Sequence, residues 1–141
     1  MRLILTDRAL RVAVPDDGKT AYVDLTTRKI ARSDTLLYVS RIRYGGYDTV
    51  MKTMLERAIP VQQAFIRVVD GETHHEQRAV VPKRATIVAY GAETPDELEL
   101  FRQLIARNAR NMNFTEHRVL FVREDEVDDT VKQLIATWER S

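Results

Sequence analysis

Three short runs, Thr35–Val39 (TLLYV), Ala85–Tyr90 (ATIVAY) and His117–Val122 (HRVLFV), are apolar almost throughout, and helical patterns separate them. A strand reads as a continuous apolar run when both of its faces are covered, and parallel neighbours need a crossover, usually a helix. The second half of the chain therefore predicts strand, helix, strand, helix, strand, helix. That order specifies an α/β fold: a parallel central sheet sandwiched between helices in three layers, with these three runs as neighbouring central strands.

The helices carry their own signals. From about Asp48 to Ile59, Val50, Met51, Met54, Leu55, Ala58 and Ile59 recur at three- and four-residue spacings, with Asp48 placed to cap the start and Pro60 to stop the end. Thr94-Pro95-Asp96-Glu97 is the clearest local signal. Thr94 can cap, Pro95 suits the first helical position, and Glu97 sits where a capping box needs it. Leu98, Phe101, Leu104, Ile105, Ala109 and Met112 give that helix its apolar face. A last helix over 124–139 is acidic at its start and turns Val127, Val131, Leu134, Ile135 and Trp138 inward.

The first third is less regular. Arg2–Thr6 (RLILT) is a strand candidate, residues 11–25 read as two short strands around Pro-Asp-Asp-Gly, and Thr26–Ser33 suits a short helix. Residues 64–69 (AFIRVV) form a further apolar stretch, followed by a polar loop from Asp70 to Lys83. No repeat or linker interrupts the 141 residues, so one domain is expected.

Composition excludes several classes of function. Lys+Arg 22 against Asp+Glu 21 leaves net charge +1, so no basic field points to nucleic acid or an anionic membrane. No apolar run approaches a membrane span, and the start lacks a signal-peptide pattern. With no cysteine, the chain has no disulfide, thiolate nucleophile or cysteine-held metal centre, and a cytoplasmic location is the expectation.

In open α/β sheets ligands bind outside the carboxyl ends of the strands, and the richest such turn here runs from Ser40 to Tyr47. Gly45 and Gly46 allow close backbone approach, Tyr44 and Tyr47 offer ring faces, and Arg41 and Arg43 offer forked donors for phosphate or carboxylate. A planar anionic ligand fits that combination. The same residues also suit a tight turn with surface tyrosines and solvated arginines.

Ser33-Asp34, the apolar strand, Ser40–Tyr47, then Met51-Lys52 and Leu55-Glu56-Arg57 resemble the flavodoxin-like NAD(P)H-dependent FMN reductases and their iron–sulfur flavoprotein relatives. That family shows a strand ending in Thr/Ser-Pro-x-x-x-Gly-Gly-Tyr, followed by Leu-Lys and Leu-Asp-Arg. Gly71-Glu72-Thr73-His74-His75 is similar to a segment of one branch, and the resemblance covers roughly residues 20–122. It implies a flavodoxin-like fold with FMN at the strand ends, NAD(P)H as hydride source, and contacts from Ser40, Arg41, Arg43, Tyr44, Gly45, Gly46, Tyr47 and Gly91.

The departures are equally specific. RLILT is followed by Asp7-Arg8-Ala9-Leu10 instead of a Ser/Thr-rich phosphate loop, Arg41 replaces proline, and the branch's cysteines are missing. A first β–α unit that is shortened or missing is therefore expected, with FMN affinity well below the family's. The alternative is a cofactor-free flavodoxin-like binding or scaffold protein. A trimmed sheet should also expose apolar surface, which makes residues 59–69 a candidate homodimer contact. His74 and His75 with Glu72 and Glu76 are not expected to hold a metal, because adjacent strand residues face opposite ways.

Overall fold

The computed structural model describes residues 1–10, 19–22, 27–59, 62–77 and 81–139. Five strands form the main path of one sheet: β1 (Arg2–Thr6), β2 (Thr20–Tyr22), β3 (Thr35–Arg43), β7 (Lys83–Tyr90) and β8 (Phe114–Val122), in the order β2-β1-β3-β7-β8. All neighbours on that path are parallel. A two-residue strand, β4 (Gly46–Tyr47), turns back antiparallel on the end of β3. In order of sequence the path reads 2-1-3-4-5, the flavodoxin-like doubly wound arrangement. The three apolar runs are neighbours, as their composition predicts, although β8 lies at the sheet's edge and much of its first half is exposed.

The side-chain alternation of β3 divides the core. Leu36, Tyr38 and Ile42 join Leu3, Leu5, Ala85, Ile87 and Ala89 on one face. Three helices cover them: α1 (Thr27–Arg32) through Ile30, α2 (Thr49–Arg57) through Met51 and Met54, and α3 (Pro95–Asn111) through Phe101, Ile105 and Ala109. Leu37 and Val39 point the other way with Ile4, Val88 and Tyr90, against Val127, Val131 and Ile135 of α4 (Val127–Glu139). The acidic start of the last predicted helix is a separate 3₁₀ turn, Glu124–Glu126.

Both β1 and β2 are in the sheet, so the first unit is present at least as its two strands. Residues 11–18 and 23–26, where part of the Pro-Asp-Asp-Gly reading falls, lie outside the described residues. The helix ends behave as their chemistry requires. Asp48 accepts from the Met51 amide at 2.9 Å, and the Thr94–Glu97 capping box forms in both directions.

One expectation is corrected. Residues 70–83 are not simply a polar loop: β6 (Glu72–Gln77) pairs antiparallel with β5 (Gln62–Val69) through the Asp70-Gly71 turn. This hairpin is a sheet of its own, set against the end of α3. Glu72 takes ion pairs from Arg107 and Arg110, the latter at 2.8 Å, and His74 Nδ1 lies 2.7 Å from Asn111 Oδ1. ETHHEQ carries almost no apolar residue because its strand packs through polar contacts to α3, so hydropathy alone gave no reason to read a strand.

Candidate functional site

The turn after β3 is a two-residue hairpin. Arg43 pairs with Gly46 and Ile42 with Tyr47, leaving Tyr44 and Gly45 as the loop. Both loop residues take positive φ, 52° and 74°, as a type I′ turn requires. Gly45 is doubly constrained, since an added Cβ would lie 2.6 Å from the Leu100 Cβ of α3. Gly46 has no such restriction, with its nearest neighbour at 3.6 Å.

The alternation of β3 also splits the candidate residues between the two faces. Ser40 is fully buried on the α2/α3 side. Tyr47 packs on that side too, edge-on to Phe101 at 5.2 Å, its hydroxyl accepting from Asn108 Nδ2 at 3.3 Å. Burial pushes its phenol well above the ordinary range. Tyr44 is 95% exposed, and Arg43, reaching Glu93 at 3.8 Å, is half exposed.

Arg41 points to the opposite face. Its Nη2 lies 2.5 Å from Glu124 Oε1, and its guanidinium stands over the Tyr90 ring with Cζ 5.0 Å from the centroid. It also fills the space beside Gly91, at φ 75°, where a Cβ would lie 2.8 Å from Nη1. Arg8 approaches the same ring at 5.5 Å and the same carboxylate at 3.8 Å. Underneath, Asp7 accepts from the Arg41 amide at 2.5 Å and from the Tyr90 hydroxyl at 3.0 Å. Burial raises the Asp7 carboxyl above its ordinary value, partly offset by those two bonds. Tyr90 is pushed up to about 12, by burial first and by Asp7 second.

A second carboxylate sits at the turn itself. Glu97 Oε2 accepts from the Glu93 amide at 2.6 Å and the Thr94 amide at 3.3 Å. The Glu93 amide most strongly, then those of Thr94, Tyr44 and Gly45, hold this carboxyl below the usual range. The amides that the start of α3 offers to an anion are thus turned on the protein's own side chain.

Of the eight sequence candidates, Arg41 and Gly91 are brought together, Ser40 and Tyr47 share the other face, and Arg43 and Tyr44 project outward. Asp7, Tyr90 and Glu124 complete the arrangement without having been proposed as site residues, and Glu97, expected only as a helix-capping residue, joins them. Their signal was position alone: Asp7 follows β1, Tyr90 ends β7, Glu124 follows β8, and Glu97 opens α3. His74 and His75 go separate ways, His74 to Asn111 and His75 Nδ1 to within 3.0 Å of the Gln63 carbonyl. No group of metal-ligating side chains occurs among the described residues.

No family model matches the sequence, and no curated protein does. The fold has solved counterparts. An NADPH-quinone reductase from P. pentosaceus superposes with a TM-score of 0.60 over 97% of this chain and 94% of that one, at 12% identity. The chain has a flavodoxin-like fold.

The FMN implied by the resemblance does not fit the described residues as they stand. A phosphate needs donors, whereas Asp7 presents a part-buried acceptor just past the end of β1. The Glu97 carboxylate takes the Glu93 and Thr94 amides at the start of α3, and Arg41, paired with Glu124, fills the space beside Gly91.

Proposed function

We propose that this chain is a single-domain, flavodoxin-fold binding protein whose strand-end crevice is closed by its own side chains and which works in an assembly. The observation that supports this most directly is the Arg41–Glu124 pair over Tyr90, with Asp7 beneath it. It satisfies internally the donors that a strand-end ligand would otherwise use.

The assembly surface is the β5–β6 arm. Phe65, Ile66 and Val68 are 71%, 63% and 70% exposed on a hairpin that Glu72, His74 and Gln62 anchor to α3. Apolar side chains on an exposed two-stranded sheet are normally covered, and a second copy of this chain is the partner in this reading. No helix among the described residues is long and apolar enough to cross a membrane, and a cytoplasmic location is part of the proposal.

A second reading is a weakly FMN-binding, NAD(P)H-dependent oxidoreductase. Tyr44 favours it, being an almost fully exposed ring held out on left-handed backbone beside Arg43, as a flat ligand would want. Titration with FMN, followed by flavin fluorescence, separates the two. The first reading expects no saturation up to about 0.1 mM, equivalent to about −5.5 kcal/mol. Saturation at lower concentration, weakened by Arg43→Ala and by Tyr44→Ala, would establish the second.

A further inference from the structure

A cleft of about 1090 Å³ opens on the α2/α3 face, away from the Arg41–Glu124 pair. Its walls include Leu55 of α2, Leu104 and Asn108 of α3, Phe114 of β8, and Tyr38 and Tyr47. The volume lies just above the range of about 300–1,000 Å³ usual for sites that take small organic molecules.

One wall atom lacks a partner. Tyr38 is 2% exposed, and its hydroxyl has no hydrogen-bond partner among the described residues. Buried hydroxyls are normally satisfied, so an orphan on a residue that lines the cleft calls for an explanation. The Tyr47 hydroxyl accepts from Asn108 and makes no hydrogen bond to Tyr38. At the mouth Lys52 and Glu56 lie 3.8 Å apart and half exposed, so their charges offset one another at the rim. Arg43, which also lines the cleft, is offset by Glu93 at 3.8 Å, so apolar walls, a neutral hydroxyl and paired charges at the rim together select the ligand.

We propose that this cleft binds a small, neutral, planar molecule carrying one carbonyl oxygen, which accepts the Tyr38 hydroxyl while its apolar body lies against Leu55, Leu104 and Phe114. The cleft shares Arg43, Tyr44 and Tyr47 with the turn after β3 but none of Asp7, Arg41, Tyr90 or Glu124, so it does not depend on the closure of the crevice by the Arg41–Glu124 pair.

The probe is 2-acetonaphthone, a neutral bicyclic ketone, titrated into protein labelled with ¹³C at the methionine methyls. Met112 borders the cleft, whereas Met1 does not. A saturable shift of the Met112 signal, with Met1 unmoved, is expected. Tyr38→Phe should weaken binding about tenfold, the equivalent of one net hydrogen bond of about 1.4 kcal/mol. It should leave thermal stability equal or raised, since an unpaired hydroxyl is removed. Leu104→Trp, which fills the cleft, should abolish the shift. Equal affinity in wild type and Tyr38→Phe, or parallel movement of Met1 and Met112, would overturn the proposal. So would a Met112 shift that follows protein concentration without ketone, which would make a second copy the occupant.

Discussion

The Arg41 guanidinium and the Glu124 carboxylate meet at 2.5 Å across the strand ends, in the place where a flavodoxin-like fold ordinarily offers its ligand site. A part-exposed ion pair contributes up to about 1 kcal/mol, and a cation over an aromatic face about 0.5–1 kcal/mol more. Arg41→Met keeps much of the side chain's bulk but loses both contributions. It should destabilise the fold by about 1–2 kcal/mol, a fall in Tm of about 4–8 °C. Differential scanning calorimetry checks this, and an unchanged Tm would mean the pair is not maintained in solution.

Asp7 gives the crevice a pH signature. Burial raises its folded pKa above the unfolded value of 3.8. Its neutral form is therefore favoured by folding, and that stabilisation is complete below 3.8 and lost as pH rises through the raised folded value. Wild type should gain stability relative to Asp7→Asn as pH falls from 7 to the unfolded value of 3.8. Urea unfolding of both proteins at the two values measures the difference. A constant difference would place Asp7 in solvent.

Glu97 has the opposite sign. Its folded pKa lies below the unfolded 4.5, so its contribution is present above 4.5 and lost as pH falls through the folded value. Glu97→Gln should loosen the start of α3 and the turn together, seen as faster amide exchange at Thr94 and Gly45 at neutral pH. The gap from wild type should narrow on acidification. Faster exchange at Thr94 alone would detach the turn from the helix.

How much of this was legible follows from range. The apolar runs and the Thr94–Glu97 box are local patterns, and both gave the right element in the right place. HRVLFV announced a covered strand, yet it lies at the sheet's edge, because an apolar run does not reveal how many neighbours a strand has. Val50 in α2 and Ile59, two residues past its end, are exposed at 50% and 59% because the helix meets the sheet along the narrower Met51–Met54–Ala58 line. The site was legible as a place but not as a network. Arg41 meets Glu124 only because β3 and β8 flank β7 on either side, and no short-range pattern carries that information.

The two adjacent glycines should behave differently. At Gly45, positive φ costs a side chain about 1–2 kcal/mol, and the contact with Leu100 demands a further shift. Gly45→Ala should lose about 2–4 kcal/mol by urea unfolding, with the hairpin and α3 displaced together. Gly46→Ala, with open backbone and room around it, should change stability by less than about 1 kcal/mol. Equal losses would show that the turn is not the type I′ hairpin described.

The assembly proposal stands or falls on the arm. Phe65, Ile66 and Val68 protrude from β5 while Glu72, held by Arg107 and Arg110, fixes the hairpin to α3. A rigid apolar arm loses little conformational freedom when it docks, so its burial can drive association directly. At about 25 cal/mol per Å² of apolar area, the three side chains on each of two copies supply several kcal/mol once buried. Sedimentation equilibrium at micromolar concentration should return twice the 16.3 kDa chain mass. Ile66→Glu with Val68→Glu should return a monomer of unchanged helical circular dichroism, because neither side chain belongs to the buried core. Breaking the anchor instead, with Glu72→Gln, should weaken the dimer without abolishing it, since the apolar surface remains but loses its rigid support. A wild-type monomer under these conditions would remove the second copy as partner and leave the exposed arm for a different protein. A dimer that persists in the double glutamate variant would move the interface off β5 altogether.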